Sequence, residues 1–153
     1  MRLTRQTNYA IRILMYCAAN EGRLSRISDI AEAYTLSDLF LFKILQPLVE
    51  HGLVETVRGR HGGVRLAKDA ADITLFDVVR VTEDNFAMAE CFENDSAECP
   101  LVESCGLNEA LRKALNAFFE VLGAYTIKDL VDSKPDMRHR LGIDELPIRA
   151  VAS

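Results

Sequence analysis

Residues 37–66 read SDLFLFKILQPLVEHGLVETVRGRHGGVRL, and the organisation of the chain follows from this stretch. Ser37 is placed to cap a helix, because its hydroxyl can accept an amide hydrogen left free in the first turn. Leu41, Ile44, Leu45, Leu48 and Val49 recur at i, i+3, i+4, i+7 and i+8, the pattern of one buried helix face. Leu39, Phe42, Lys43 and Gln46 fall on the opposite face, which carries more hydrocarbon and less charge than a solvated face normally does. Pro47 predicts a kink or an early end, since it lacks the N–H the helix needs. His51-Gly52 closes the helix. Leu53–Val57 then reads as a strand and Val64–Leu66 as its return. Between them, Arg58-Gly59-Arg60-His61-Gly62-Gly63 forms a glycine-rich turn with three basic side chains.

Two helices precede this stretch. Ala10, Ile13, Leu14, Cys17 and Ala18 give the first its apolar face, with Cys17 read as a small core residue. Ile27, Ile30, Ala31 and Tyr34 face inward from a second, shorter helix after Ser25. Two helices, a capped third helix and a basic hairpin, in this order, predict a winged helix-turn-helix. The fold class expected is mainly α with a small β-hairpin wing, followed by a long dimerisation helix. In such a fold the third helix from Ser37 meets the major groove. Leu39 and Phe42 would meet thymine methyls, and Lys43 and Gln46 would reach base edges or phosphate. Arg58, Arg60 and His61 would sit beside phosphate or in a minor groove. The same apolar face would also suit a protein partner.

The net charge of −5 argues against a nucleic-acid partner until its distribution is considered. Residues 1–68 hold ten Lys/Arg and six Asp/Glu, a net of +4, whereas residues 69–153 hold eight and seventeen, a net of −9. A basic half joined to an acidic half is expected when one part meets phosphate. No apolar run approaches the ~20 residues of a membrane span. Arg12 interrupts the apolar run near the start, and Tyr16 is too bulky to precede a lipoprotein-type cleavage before Cys17. A cytoplasmic protein with reduced thiols is expected.

Downstream, Thr74 and Asp77 form a capping box, with Ile73 stapled to Val78, and open a coupling helix running through Val81. From Glu83 to Glu109 there are eight acids and no Lys or Arg. Cys91, Cys99 and Cys105 lie inside this acidic stretch, with seven and then five residues between them. No Cys-x-x-Cys pair occurs there, which disfavours a zinc ribbon or redox dithiol. Wide gaps suit a loop wrapped around an iron–sulfur cluster, although a three-thiolate zinc site or unligated thiols remain open on spacing alone. Leu107, Leu111, Ala114, Phe118, Val121 and Tyr125 then form a coiled-coil-like seam, widened by Leu115 and Leu122. Gly123 is placed to cap its end, and Thr126 with Asp129 opens a short following helix. The predicted organisation is a winged domain with coupling helix over 1–82, a cysteine loop over 83–106, a dimerisation helix and short helix over 107–132, and a mobile tail over 133–153.

The opening Met1-Arg2-Leu3-Thr4, the wing segments Gly52-Leu53-Val54, Val57-Arg58-Gly59 and Gly62-Gly63, and the three-cysteine loop resemble the bacterial iron–sulfur-cluster winged-helix repressor family over residues 1–132. The cysteine spacing and Arg5-Gln6-Thr7-Asn8-Tyr9-Ala10 are most similar to its rhizobial iron-regulator branch. The resemblance implies an Fe–S cluster of the 4Fe–4S type on Cys91, Cys99 and Cys105, and a homodimer on a pseudo-palindromic operator in double-stranded DNA. Relatives carry a histidine ligand three residues after the third cysteine, where this chain has Asn108. Others donate an aspartate from the partner's first helix, where this chain has Asn8, a weaker ligand. The implied function is an iron-responsive repressor, not an enzyme, that holds DNA with its cluster bound and releases it on cluster loss. Nitric-oxide or redox sensing is the neighbouring alternative. An Fe–S electron carrier and a zinc-stabilised DNA-binding module are the alternatives from other classes.

Overall fold

The computed structural model describes residues 2–20, 22–93, 100–101 and 104–145. Helix α1 (Arg5–Ala19) is the hub, packing against three later helices and one strand. Thr4 caps it by accepting from the Thr7 amide, and Ala10, Ile13, Leu14, Tyr16 and Cys17 are buried along it. Helix α2 (Ile27–Tyr34) adds Ile30 and Ala31 to the core, while Ile27 and Tyr34 are half-buried at its edge.

Helix α3 (Asp38–Glu50) is capped by Ser37, whose hydroxyl accepts from the Phe40 amide at 3.3 Å. Leu41, Ile44, Leu45 and Leu48 are buried as their spacing requires. Pro47 does not end the helix early, because regular structure continues to Glu50 and the Pro47 carbonyl still accepts from the His51 amide at 3.1 Å. Val49, expected in the stripe, is 40% exposed. It lies in the last turn, where the Gly52 amide bonds to the Val49 carbonyl (3.0 Å) and the Leu53 amide to the Leu48 carbonyl (2.8 Å). This doubled closure turns Leu48 and Leu53 inward in place of Val49, and it needs a left-handed residue, supplied by Gly52 at φ +65°.

Strands β1 (Val54–Val57) and β2 (Gly63–Leu66) pair antiparallel, with Val54 opposite Leu66 and Val57 opposite Gly63. A third edge was not visible in the sequence. Ser25 exchanges two 2.8 Å hydrogen bonds with Val64, tying the wing to the α1–α2 connection. The approach is close enough that a Cβ on Gly63 would lie 2.5 Å from the Ser25 carbonyl oxygen.

A 3₁₀ turn (Ala70–Asp72) leads to helix α4 (Leu75–Thr82), which is opened by the expected Thr74/Asp77 capping box. Partial burial alone would raise the Asp77 carboxyl. The two Thr74 hydrogen bonds, with Lys68 and Arg80 nearby, bring it below its ordinary value. Helix α5 (Glu90–Glu93) is one turn within the acidic stretch. The long helix α6 (Gly106–Ala124) runs through Gly123, so that glycine does not end it. Helix α7 (Ile127–Asp132) begins with the expected Thr126/Asp129 box and packs on α1.

The tail expected from residue 133 is instead ordered structure through residue 145. Helix α8 (Met137–Arg140) and a 3₁₀ turn (Ile143–Glu145) follow, with Ile143 fully buried. Arg138 holds this segment down by donating to the Ala19 carbonyl at the end of α1 and pairing with Asp144 at 3.0 Å. A cation at that position also meets the negative end of the α1 dipole. Residues 146–153 lie outside the described residues.

Candidate nucleic-acid interface and thiolate pair

On α3 the face opposite the core is open. Leu39 is 84% exposed and Phe42 57%, and Ser37, Lys43 and Gln46 are exposed beside them. Gln46 donates to Glu50 at 3.0 Å, and the Ser37 hydroxyl is already committed to its cap. Arg58, Arg60 and His61 project from the wing turn, all exposed. Among the described residues Lys43, Arg58 and Arg60 form no ion pair, whereas Arg65 of β2 pairs with Glu55 of β1.

Arg5 is a neighbour of this face that sequence reading missed. Its guanidinium lies 5.4 Å from the Phe40 ring centre and 5.6 Å from Tyr9, whose ring meets Phe40 edge-on at 5.8 Å. Arg12 stacks on Tyr9 at 5.1 Å. These contacts fasten the start of α1 to the first turn of α3. The only sequence signal was an arginine four residues before an aromatic on a helix, which is too common to single out.

The second cluster joins α1 to the acidic stretch. Thr7 is fully buried, with its hydroxyl 2.8 Å from Thr82 and 2.5 Å from the Glu83 carboxylate. The same Glu83 oxygen accepts the Thr4 amide at 2.6 Å. The carboxylate at the beginning of the cysteine segment therefore caps the N-terminus of α1, where its charge is favoured.

Cys91 lies in α5, and Cys105 is the N-cap of α6. The Asn108 amide hydrogen bonds to Cys105 Sγ at 3.4 Å, and the Asn108 side chain donates to Cys91 Sγ at 3.1 Å. Two thiols distant in sequence thus converge on one residue. Cys99 lies outside the described residues, and among those described no three His, Cys, Asp or Glu side chains gather at one point. Asn8 is exposed on α1. No described side-chain hydrogen bond links it to either cysteine of its own chain. Two soft sulfur donors facing one amide at a helix N-terminus suit a thiolate-bound metal group. Cys17 is separate and buried. Burial pushes its thiol up to about 12, only partly countered by Ser25.

Helix α6 has two apolar faces. Phe119 turns inward, meeting Phe76 at 5.1 Å and Phe86 at 4.8 Å, with Leu115 and Leu122 half-buried. Leu107, Val121 and Tyr125 of the seam are more than half exposed, and no residue of α6 is fully buried.

A family described as "Rrf2: Iron-dependent Transcriptional regulator" matches residues 3–133. The chain belongs to the Rrf2 family. A Rhizobium meliloti relative named "Protein aau3" is 69% identical to this Rrf2 protein over 153 residues, covering 100% of this chain and 99% of the relative. The Bacillus subtilis "HTH-type transcriptional regulator NsrR" is 44% identical over 146 residues, covering 95% and 100%. Among solved structures, the B. subtilis global cysteine regulator CymR superposes with TM-score 0.68 at 28% identity, covering 87% of this chain and 98% of that one. "T. potens IscR" reaches TM-score 0.70 at 24% identity, covering 87% and 88%, which speaks for the fold. This Rrf2 chain is accordingly a DNA-binding transcriptional regulator and not an enzyme. None of its described helices is long and apolar enough to cross a membrane.

Proposed function

We propose that this Rrf2 regulator is a cytoplasmic, iron-responsive repressor that binds a pseudo-palindromic operator as a homodimer while Cys91, Cys99 and Cys105 hold an Fe–S cluster, of the 4Fe–4S type. The observation that carries this reading is the convergence of Cys91 and Cys105 on Asn108 at the first turn of α6. Cys91, Cys99 and Cys105 would hold the cluster, which would supply iron to the site and make it responsive to iron supply. The chain's own residues do the rest. Cys105 fixes the start of α6, so whatever the thiols hold is felt directly by the helix whose seam of Leu107, Val121 and Tyr125 lies open for a second copy. Glu83 ties the other end of the cysteine segment to α1 through Thr4 and Thr7, and α1 reaches α3 through Tyr9, Arg5 and Phe40. In the dimer the two α3 helices would present Leu39, Phe42, Lys43 and Gln46 to successive major grooves, with Arg58, Arg60 and His61 of each wing alongside phosphate. Asn8 of the partner subunit is a candidate for the remaining iron position. Its uncharged amide is a weak donor, which suits a site that must lose metal.

Metal and sulfide analysis of protein purified without oxygen tests this directly. Iron and acid-labile sulfide are expected, with a footprint on a palindromic promoter. Zinc with the same footprint would establish a zinc-stabilised module instead. A footprint that ignores nitric oxide but fades with a mild iron chelator separates iron sensing from gas sensing.

A further inference from the structure

Asn108 sits at the centre of a closed ring of contacts. Its Nδ2 donates to Cys91 Sγ at 3.1 Å, and its Oδ1 accepts from Arg112 Nε at 2.7 Å. The Arg112 guanidinium lies 4.9 Å from the ring centre of Phe92, the residue after Cys91. Cys91, Phe92, Arg112 and Asn108 therefore close on themselves, and Cys105 joins through the Asn108 backbone. The ring has a fixed sense. Arg112 carries only donors, so the Asn108 oxygen must face it and the amide N–H must face sulfur. Arg112 is also the first cation after the acidic run from Glu83 to Glu109, and it stands on α6 one turn beyond Asn108. With its oxygen taken and its nitrogen lone pair delocalised, this side chain is poorly suited to bind iron.

We infer that Asn108 is the positioning residue of the thiolate site: locked by Arg112 against Phe92, it sets the Cys91 and Cys105 sulfurs at one point before any metal arrives. The inference rests on the proposed thiolate site but not on which metal fills it. An N–H···S bond also draws electron density from the Cys91 sulfur, a known lever on how firmly thiolates hold iron.

The test uses reduced, metal-free, full-length protein carrying Cys99→Ser, so that Cys91 and Cys105 are the accessible thiols and Cys17 stays buried. Phenylarsine oxide condenses with two neighbouring thiols to form a cyclic dithioarsenite, releasing one water. Its rate with the Cys91/Cys105 pair is compared across Asn108→Ala, Asn108→Asp, Asn108→Gln and Arg112→Ala, with circular dichroism confirming fold. Asn108→Ala is expected to slow closure about tenfold, the equivalent of one hydrogen bond. Asn108→Asp should slow it more, because two acceptor oxygens then face sulfur. Arg112→Ala should slow it by a smaller factor without touching either cysteine, and Asn108→Gln should recover part of the rate. A second readout is the lifetime of visible thiolate-to-metal absorption under chelator, expected to change in the same order. Equal closure rates in wild type, Asn108→Ala and Arg112→Ala would overturn the inference while leaving the Fe–S reading intact. Ordered rates in a protein that binds only zinc would do the reverse.

Discussion

The Thr7–Glu83 contact offers the sharpest energetic test of how the cysteine segment is joined to the DNA-reading half. Each threonine hydroxyl has one proton. The strongest acceptor near Thr7 is the Glu83 carboxylate at 2.5 Å, so that proton goes to Glu83, and the Thr82 hydroxyl, 2.8 Å from both the Thr7 oxygen and the Val78 carbonyl, is left as the donor to one or the other. Thr7→Val keeps the shape of a fully buried side chain and deletes the charge-assisted hydrogen bond to Glu83 together with the weaker neutral hydroxyl contacts to Thr4 and Thr82, leaving Glu83 with the Thr4 amide alone. The expected loss is about 2 kcal/mol, since a hydrogen bond to a charged group contributes roughly 1.5–3 kcal/mol. Glu83→Ala should cost somewhat more because it also orphans the Thr4 amide. Urea unfolding of wild type, both single variants and the double variant closes a cycle whose interaction energy should be about 2 kcal/mol. Operator affinity should fall in Thr7→Val although no residue of the reading face is altered. An interaction energy below about 0.5 kcal/mol would refute the reasoning, because the two sites would then be independent.

Other outcomes follow from the same geometry. Lys43→Ala and Arg58→Ala should each weaken operator binding and lower the slope of log affinity against log salt by about one unit for each phosphate left without its cation; unchanged affinity in both would mean that DNA is read elsewhere. Val121→Asp places a charge in the exposed seam of α6 and should give a monomer in sedimentation at micromolar concentration, so a persisting dimer would remove α6 as the interface. Cys17 should resist iodoacetamide at pH 8 in the folded protein. Its folded thiol is raised from 9.0 to about 12, so the stability gained from burying it neutral is present below pH 9 and is lost as pH climbs toward 12. Cys17→Ala should flatten that alkaline decline.

Much of the fold was legible because its signals are local. The caps at Ser37, Thr74 and Thr126 each need only residues within one turn, and all three form. The wing turn announces itself through glycine and charge. What escaped is what distant segments decide. The heptad spacing selects Phe118 for the seam and passes over Phe119, which is the residue that packs inward. Its partners Phe76 and Phe86 stand more than thirty positions upstream, and only the packing of α4 on α6 brings them together. Ile143 is a single apolar residue without periodicity, and the Arg138 contact with Ala19 spans 119 positions. Asn108 was read as the place where a ligand is missing. Its work depends on Cys91, Arg112 and Phe92 meeting it, and no spacing rule encodes that closed ring.

The most direct measurement is operator affinity followed on one anaerobic sample as iron is withdrawn stepwise by chelator, with bound iron and sulfide counted at each step. Affinity should fall in step with bound iron and return when the cluster is rebuilt. Full affinity in protein stripped of iron, or thiols found to hold only zinc, would contradict the account.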